Sequence, residues 1–315
     1  MSTFKKILKA IGISLAFMVG YAVVQIMVTI LFAVYFSFYS LKMDLSVYPG
    51  SNKAEQIMAY TQQNLMMNMA LIVLIAGIIS IGIMLLILLL LKKAKKWDMA
   101  DFFRVPHKIG IAIPLGIICF LTGMAFNVGL VNIMELVPIP ESWIEANNES
   151  VGAVLSGSLW IALAATSLIA PVAEELIFRG VSYTMLRDAI PLKRRFAVLI
   201  AGFAVSLAFG IYHGNILQGI YTFVFSILLL AVYERTGSIW SSILVHAGFN
   251  SSWLLELFAE KIFSQEKVLV NGLLFLGIGS VLLAGFFLLS SYGKKNAANA
   301  DDGCADSGDH DDPGN

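Results

Sequence analysis

The chain contains eight apolar runs, and six of them are longer than the ~20 residues a helix needs to cross a bilayer. They lie near residues 10–38, 65–91, 109–131, 152–178, 196–213, 216–233, 238–259 and 268–291. An unpaired backbone group in hydrocarbon is too costly, so these runs must be helical, and a β-barrel would show short alternating strands instead. The sequence therefore predicts an all-α, polytopic transmembrane helix bundle of about eight spans.

The charge content supports this fold class. Only 13% of the 315 residues are charged, whereas 58% are apolar, and a soluble domain has about 25% charged residues. A soluble enzyme and a secreted disulfide scaffold are thereby excluded. The net charge is zero, so we expect no nucleic-acid partner. The lipid bilayer is the expected surrounding, and the composition fits a cell membrane of the bacterial inner-membrane type.

The basic residues orient the predicted bundle. All but four of the 21 Lys and Arg residues fall on one side if both termini are cytoplasmic. Positive residues are concentrated in cytoplasmic loops of membrane proteins. The sequence therefore predicts cytoplasmic termini. The four exceptions are Lys42, Lys53, Lys261 and Lys267.

Composition also divides the chain into segments. Residues 1–149 form N-terminal transmembrane helices, with a basic and aromatic loop at 92–108 that we expect at the membrane interface. Residues 256–295 contain the last span. Residues 296–315 are polar and rich in Asp, which predicts a disordered acidic tail.

Ionisable groups inside a membrane are expensive and mark candidate functional sites. Glu175 and Arg179 are four residues apart and share a helix face, which favours a structural ion pair. Glu174 points ~100° away from Glu175, because a helix turns once per 3.6 residues. It is therefore expected to be free of Arg179, which suits a general base or a proton carrier.

Two further pairs have the same four-residue spacing. Phe209 shares a face with His213, and His246 shares a face with Asn250. A single membrane histidine more often packs between helices than catalyses a reaction. Two histidines, a carboxamide and the free Glu174 together are harder to explain by packing.

These motifs resemble one family. Glu-Glu-x-x-x-Arg within EELIFRG, Phe-x-x-x-His and His-x-x-x-Asn occur in that order in successive predicted helices. The chain resembles the CPBP (or Abi, lysostaphin-resistance-A-like) family of intramembrane proteases. That family includes the type II CAAX prenyl endopeptidases and the bacteriocin-processing or immunity proteins. The resemblance extends over residues 150–255, which would form the catalytic core.

The resemblance implies hydrolysis of a peptide bond in a membrane-associated protein or peptide substrate. Glu174 and His213 would activate water, and His246 and Asn250 would form the oxyanion hole. The implied supporting residues are Glu175, Arg179 and Phe209.

The family has been described both as metalloproteases and as metal-independent glutamic proteases. Glu174, His213 and His246 could supply the three ligands of a catalytic zinc. However, Asn250 is a poor zinc ligand and a good donor to an oxyanion, and a Glu–His pair can deprotonate water alone. We therefore favour no metal and no cofactor, with zinc as the alternative.

Two other functions use the same residues. In a proton-coupled transporter, Glu174, His213 and His246 would form a relay, although no internal repeat is apparent in the sequence. In a noncatalytic membrane partner, the fold would bind and regulate another membrane protein.

For Glu174 to meet His213 at one depth, the fourth helix must run on toward Lys193, and we predict such a long helix.

Overall fold

The computed structural model of the chain describes residues 2–93, 109–255 and 268–305, and every regular element in these ranges is a helix. The predicted all-α fold class is confirmed. The helices are α1 (Thr3–Ser40), α2 (Lys53–Met67), α3 (Met69–Lys93), α4 (Ile109–Met134), α5 (Glu141–Leu155), α6 (Leu159–Ala189), α7 (Arg194–Tyr212), α8 (Ile216–Thr236), α9 (Ile239–Asn250) and α10 (Val268–Ala305).

Among the described helices, seven are long and apolar enough to cross a membrane, namely α1, α3, α4, α6, α7, α8 and α10. The difference from the predicted eight lies at 238–259. The described part of that run forms α9, a helix of 12 residues, about 18 Å long, which is short for a bilayer. It packs against α4 within the bundle.

The predicted long fourth helix is confirmed. The run predicted at 152–178 instead forms α6, with 31 residues and a length of about 46 Å. It contains two π-helical segments, Ala164–Ile169 and Leu176–Tyr183, on either side of the α-helical turn Ala170–Glu175. Such π segments are rare and frequently lie at functional sites. The two adjacent carboxylates at 174 and 175 therefore lie between two local changes of helical pitch.

The two short helices outside the spans, α2 and α5, pack against each other. The start of α2 is capped: the Asn52 side chain accepts a hydrogen bond from the Glu55 amide. The Glu55 carboxylate in turn accepts from the backbone and hydroxyl of Ser51. These hydrogen bonds lower the pKa of Glu55, since they favour its charged form.

Helix α6 lies at the centre of the bundle. Its residues Phe178 and Tyr183 are fully buried in an apolar cluster with side chains of α1, α3, α7, α8 and α9. A second cluster joins α4, α8, α9 and α10. The helices α4 and α9 approach closely enough that glycines face the carbonyl groups of the opposite helix, Gly123 facing Val245 and Gly248 facing Phe120. This close packing fixes α9 beside α6.

Some predictions concern residues beyond those described. Most of the interfacial loop 92–108 lies outside the described residues. Helix α10 continues to Ala305 and includes the first ten residues of the predicted acidic tail, where the Ala-rich sequence NAANA favours a helix. Residues 306–315 lie outside the described part. The cytoplasmic position of the termini stays a prediction.

Candidate active site

The ion pair predicted on α6 is present and buried. Arg179 Nη1 donates a hydrogen bond to Glu175 Oε1 at 2.8 Å, and the two side chains are 1% and 0% exposed. Arg179 Nη2 donates to the hydroxyl (2.6 Å) and to the carbonyl (3.2 Å) of Ser226 on α8. The guanidinium also lies 4.8 Å from the ring centroid of Phe209 on α7. One side chain of α6 therefore joins three helices of the core.

Glu175 has a second partner that its spacing from Arg179 does not indicate. His246 Nδ1 on α9 donates to the same Glu175 Oε1 at 2.8 Å. A carboxylate only accepts hydrogen bonds, so Nδ1 carries a proton and Nε2 is the nitrogen that faces the rest of the site. A carboxylate on one imidazole nitrogen fixes the orientation of the ring.

Glu174 lies on the other side of the same imidazole. Its Oε2 is 3.6 Å from His246 Nε2, and its side chain is 12% exposed, whereas that of Glu175 is fully buried. Glu174 makes no ion pair with Arg179 in the described structure, as its ~100° offset predicts. The two adjacent carboxylates therefore hold opposite nitrogens of one histidine, and only Glu174 retains accessible surface.

His213 caps the C-terminal end of α7. Its Nδ1 donates to the Phe209 carbonyl at 2.8 Å, which leaves Nε2 free to accept a proton. The Phe209 ring contacts both imidazoles edge-on, with centroid distances of 4.8 Å to His213 and 5.8 Å to His246. Glu174 and His213 form no direct hydrogen bond in the described structure. His213 and His246 lie around a shared aromatic ring.

Asn250 ends α9, one turn after His246. Its Nδ2 donates to the Thr166 carbonyl at 2.9 Å, in the first π-helical segment of α6. A carboxamide nitrogen has two hydrogens, so one remains for another acceptor. The irregular turn of α6 thereby orients the amide that the resemblance assigns to an oxyanion hole.

Residues of the first helix also reach this region. Tyr21 of α1 is 3% exposed and stacks on Tyr212 of α7, with ring centroids 5.7 Å apart and planes inclined by 7°. The Tyr212 hydroxyl donates to Gln25 Oε1 on α1 at 3.1 Å. Both tyrosines are close enough to Glu174 for electrostatic interaction. The sequence analysis assigned no site residue to α1.

An apolar cavity of about 320 Å³ lies beside the site. Side chains of α1 and α3 form most of its wall, and α6 contributes Ile177, one turn after Glu174. The lining is almost entirely apolar and includes Tyr21 and Ser80. The cavity therefore reaches the turn of α6 that follows Glu174, and it suits an apolar group.

The site combines predicted and unpredicted contacts. The pair of Glu175 with Arg179 matches its predicted geometry, and the three motifs meet around the Phe209 ring. The sequence motifs do not indicate the polar partners that lie in otherwise apolar runs, namely Thr166, Ser226, Tyr21, Gln25 and Tyr212. Isolated polar side chains in apolar helices are the signal that could have suggested them, but it does not indicate which residue each one contacts.

The zinc alternative requires three ligands around one point. Among the described residues, no group of three or more His, Cys, Asp or Glu side chains is arranged to hold a metal ion. His213 and His246 each use one nitrogen for a protein contact, which is compatible with a metal on the other.

One comparison with known proteins found a match. Residues 156–252 match the family model described as Type II CAAX prenyl endopeptidase Rce1-like. The match is consistent with the CPBP family and contains every residue of the three motifs. No curated protein and no solved structure matches the chain. The family match supports a peptidase of the CAAX endopeptidase type, and the seven apolar helices support a multi-pass membrane protein.

Proposed function

We propose that this chain is an intramembrane endopeptidase in a cell membrane, which hydrolyses a peptide bond with water activated by Glu174 and His213. The observation that supports the proposal most strongly is that two adjacent carboxylates have different partners. Glu175 binds Arg179 and His246 Nδ1. Glu174 is left without a cationic arginine, at 3.6 Å from His246 Nε2, so it can accept a proton.

In this mechanism Glu174 removes a proton from water as the water oxygen attacks the scissile carbonyl carbon. Nε2 of His213, which has no hydrogen, helps to orient the water. The carbonyl oxygen becomes an oxyanion, and His246 Nε2–H and the second Nδ2 hydrogen of Asn250 donate to it. Glu174 then returns the proton to the leaving amine as the C–N bond breaks.

Glu175 and Arg179 act through other residues in this proposal. The Glu175 carboxylate stabilises the imidazolium form of His246, which is the form that donates from Nε2. Arg179 balances the charge of Glu175 and holds α6 against α8 through Ser226. These two residues hold the histidine in position and do not touch the substrate.

The substrate in this proposal is a membrane-associated protein or peptide. The apolar cavity beside Ile177 lies one helical turn from Glu174. A space of about 320 Å³ is within the range of small-molecule sites. We therefore propose that an apolar group of the substrate enters there while its peptide bond lies against Glu174.

The function is tested with the purified chain in detergent or liposomes and a reporter peptide. Wild type should cleave it, and Glu174→Ala and His213→Ala should each reduce kcat at least 100-fold, because each removes a group that activates water. Lys193→Ala, an exposed change before α7, serves as the control and should cleave at the wild-type rate. Equal cleavage by wild type and both active-site variants would contradict the proposal.

Metal independence is a separate prediction. Because Glu174 and His213 activate water in this mechanism, we expect full activity after dialysis against EDTA and 1,10-phenanthroline. The measurement is the cleavage rate before and after chelation, with the metal content checked by mass spectrometry. Activity that is lost on chelation and restored by zinc would favour the zinc alternative with Glu174, His213 and His246.

A further inference from the structure

Helix α1 contributes Tyr21 to the wall of the candidate site, although it lies far outside the segment matched by the family model. Tyr21 belongs to the apolar cluster that surrounds the centre of α6. There it is buried together with Ala173 and Ile177, the residue before Glu174 and the residue three after it. The tyrosine therefore packs beside Ile177, three residues after the carboxylate on α6.

The Tyr21 hydroxyl is unusual in its surroundings. It is buried and has no hydrogen-bond partner among the described residues. The Gln25 side chain lies beside it, and Gln25 Oε1 already accepts from Tyr212. A buried hydroxyl without a partner is costly. This one is within electrostatic range of Glu174.

The ring of Tyr21 is held in place from two sides. It stacks on Tyr212, whose neighbour in sequence is His213. Tyr212 is itself fixed by its hydrogen bond to Gln25 and by an edge contact with Phe178 at 5.7 Å. A side chain with two χ angles, stacked in this way, keeps its hydroxyl in one place. The position of the hydroxyl is thus set by the packing of α1 against α6 and α7.

We propose that the Tyr21 hydroxyl binds the water molecule that Glu174 activates, which makes Tyr21 a further catalytic residue. A buried water forms about three hydrogen bonds to polar groups that otherwise lack partners. The water donates one hydrogen bond to Glu174 and the other to His213 Nε2, and the Tyr21 hydroxyl donates a hydrogen bond to the water oxygen. The water oxygen is then aimed at the scissile carbonyl. This inference rests on the proposed function.

The simplest competing explanation is that the Tyr21 hydroxyl is an unsatisfied group of the core without a role in catalysis. Tyr183 offers a matched comparison. It belongs to the same apolar cluster, its hydroxyl also has no hydrogen-bond partner among the described residues, and its electrostatic contacts are with Arg187 and Glu234 instead of Glu174. The change of Tyr to Phe removes the same atom at both positions.

The test compares Tyr21→Phe, Tyr183→Phe and wild type in the full chain, with kcat, KM and the thermal unfolding midpoint measured for each. We expect Tyr21→Phe to lower kcat roughly 10- to 100-fold, as expected for the loss of a donor at the reacting atoms. KM should change less than twofold, and the midpoint should stay near that of wild type. Tyr183→Phe should retain the wild-type kcat.

Other outcomes would overturn the inference. A wild-type kcat in Tyr21→Phe, or a loss that is confined to KM, would show that the hydroxyl does not contact the water. An equal fall in kcat in both variants would assign the effect to the core and not to the site. Failure of the proposed function gives a different result, since wild type would then be inactive or Glu174→Ala would remain active.

Discussion

Replacing Arg179 by leucine should strongly destabilise the chain and abolish cleavage. The substitution leaves the Glu175 carboxylate, which is 0% exposed, without the arginine that balances its charge, and with His246 as its remaining hydrogen-bond partner. Breaking a buried ion pair by removing one side costs about 3–5 kcal/mol, because an uncompensated charge stays buried. The variant also loses two hydrogen bonds to Ser226, which join α6 to α8. Thermal unfolding in detergent would show the loss as a lower midpoint.

A double substitution separates the charge from the packing. Glu175→Gln keeps an acceptor for His246 Nδ1 and removes the negative charge. Combined with Arg179→Leu, it should therefore recover part of the lost stability, as expected when both partners of a buried pair are replaced. Activity should stay low in the double variant, because a neutral Gln no longer supports the cationic form of His246.

Arg195→Leu is a suitable control for the Arg179 variant. Arg195 lies at the start of α7, is exposed, and contacts the Phe196 ring. Exposed charges contribute about 0–1 kcal/mol to stability, so this variant should unfold near the wild-type midpoint. An Arg179→Leu chain with the stability of Arg195→Leu would show that the ion pair does not stabilise the fold.

Spacing along a helix predicts contacts within that helix and little beyond it. The pair of Glu175 with Arg179 follows from their separation of four residues, because that separation places both on one face. The hydrogen bond from His246 to Glu175 joins residues 71 positions apart. It depends on which helices are neighbours, and the apolar runs do not encode this. The same reason explains why Tyr21 was not identified as a site residue.

The length of the fourth helix could be predicted because the proposed chemistry requires Glu174 to meet His213. Apolar runs alone predict a fourth span that ends near Phe178, whereas the need for Glu174 to approach His213 predicts the longer helix that is observed. The run at 238–259 has no such requirement, and its short helix α9 was predicted as a full span. The π-helical segments of α6 were not predictable, because they depend on packing against neighbouring helices and have no sequence signature.

The second large effect is expected from Gly248→Ala, at the contact between α4 and α9. A Cβ atom at Gly248 would overlap the Phe120 carbonyl of α4, which is backbone and cannot turn aside as a side chain does. Small residues are what allow two membrane helices to approach this closely. The added methyl must push α9 away from α4, and overpacking of this kind typically costs about 1–3 kcal/mol.

The displaced helix is the one that positions the proposed oxyanion hole. His246 and Asn250 each lie two residues from Gly248, so a shift of α9 moves both away from Glu175 and Thr166, which hold them. Because misplacement of a catalytic group by about 1 Å can cost roughly 100-fold in rate, we expect Gly248→Ala to lose at least that much in kcat.

Gly277→Ala in α10 is the matched control, since a Cβ there would have no atom within 4 Å. It should leave the cleavage rate and the unfolding midpoint unchanged, or raise the midpoint slightly through the better helix propensity of alanine. If Gly248→Ala cleaved as fast as Gly277→Ala, α9 would have to tolerate a shift away from α4. The positions of His246 and Asn250 would then not depend on this contact, and the oxyanion hole proposed for them would lose its structural support.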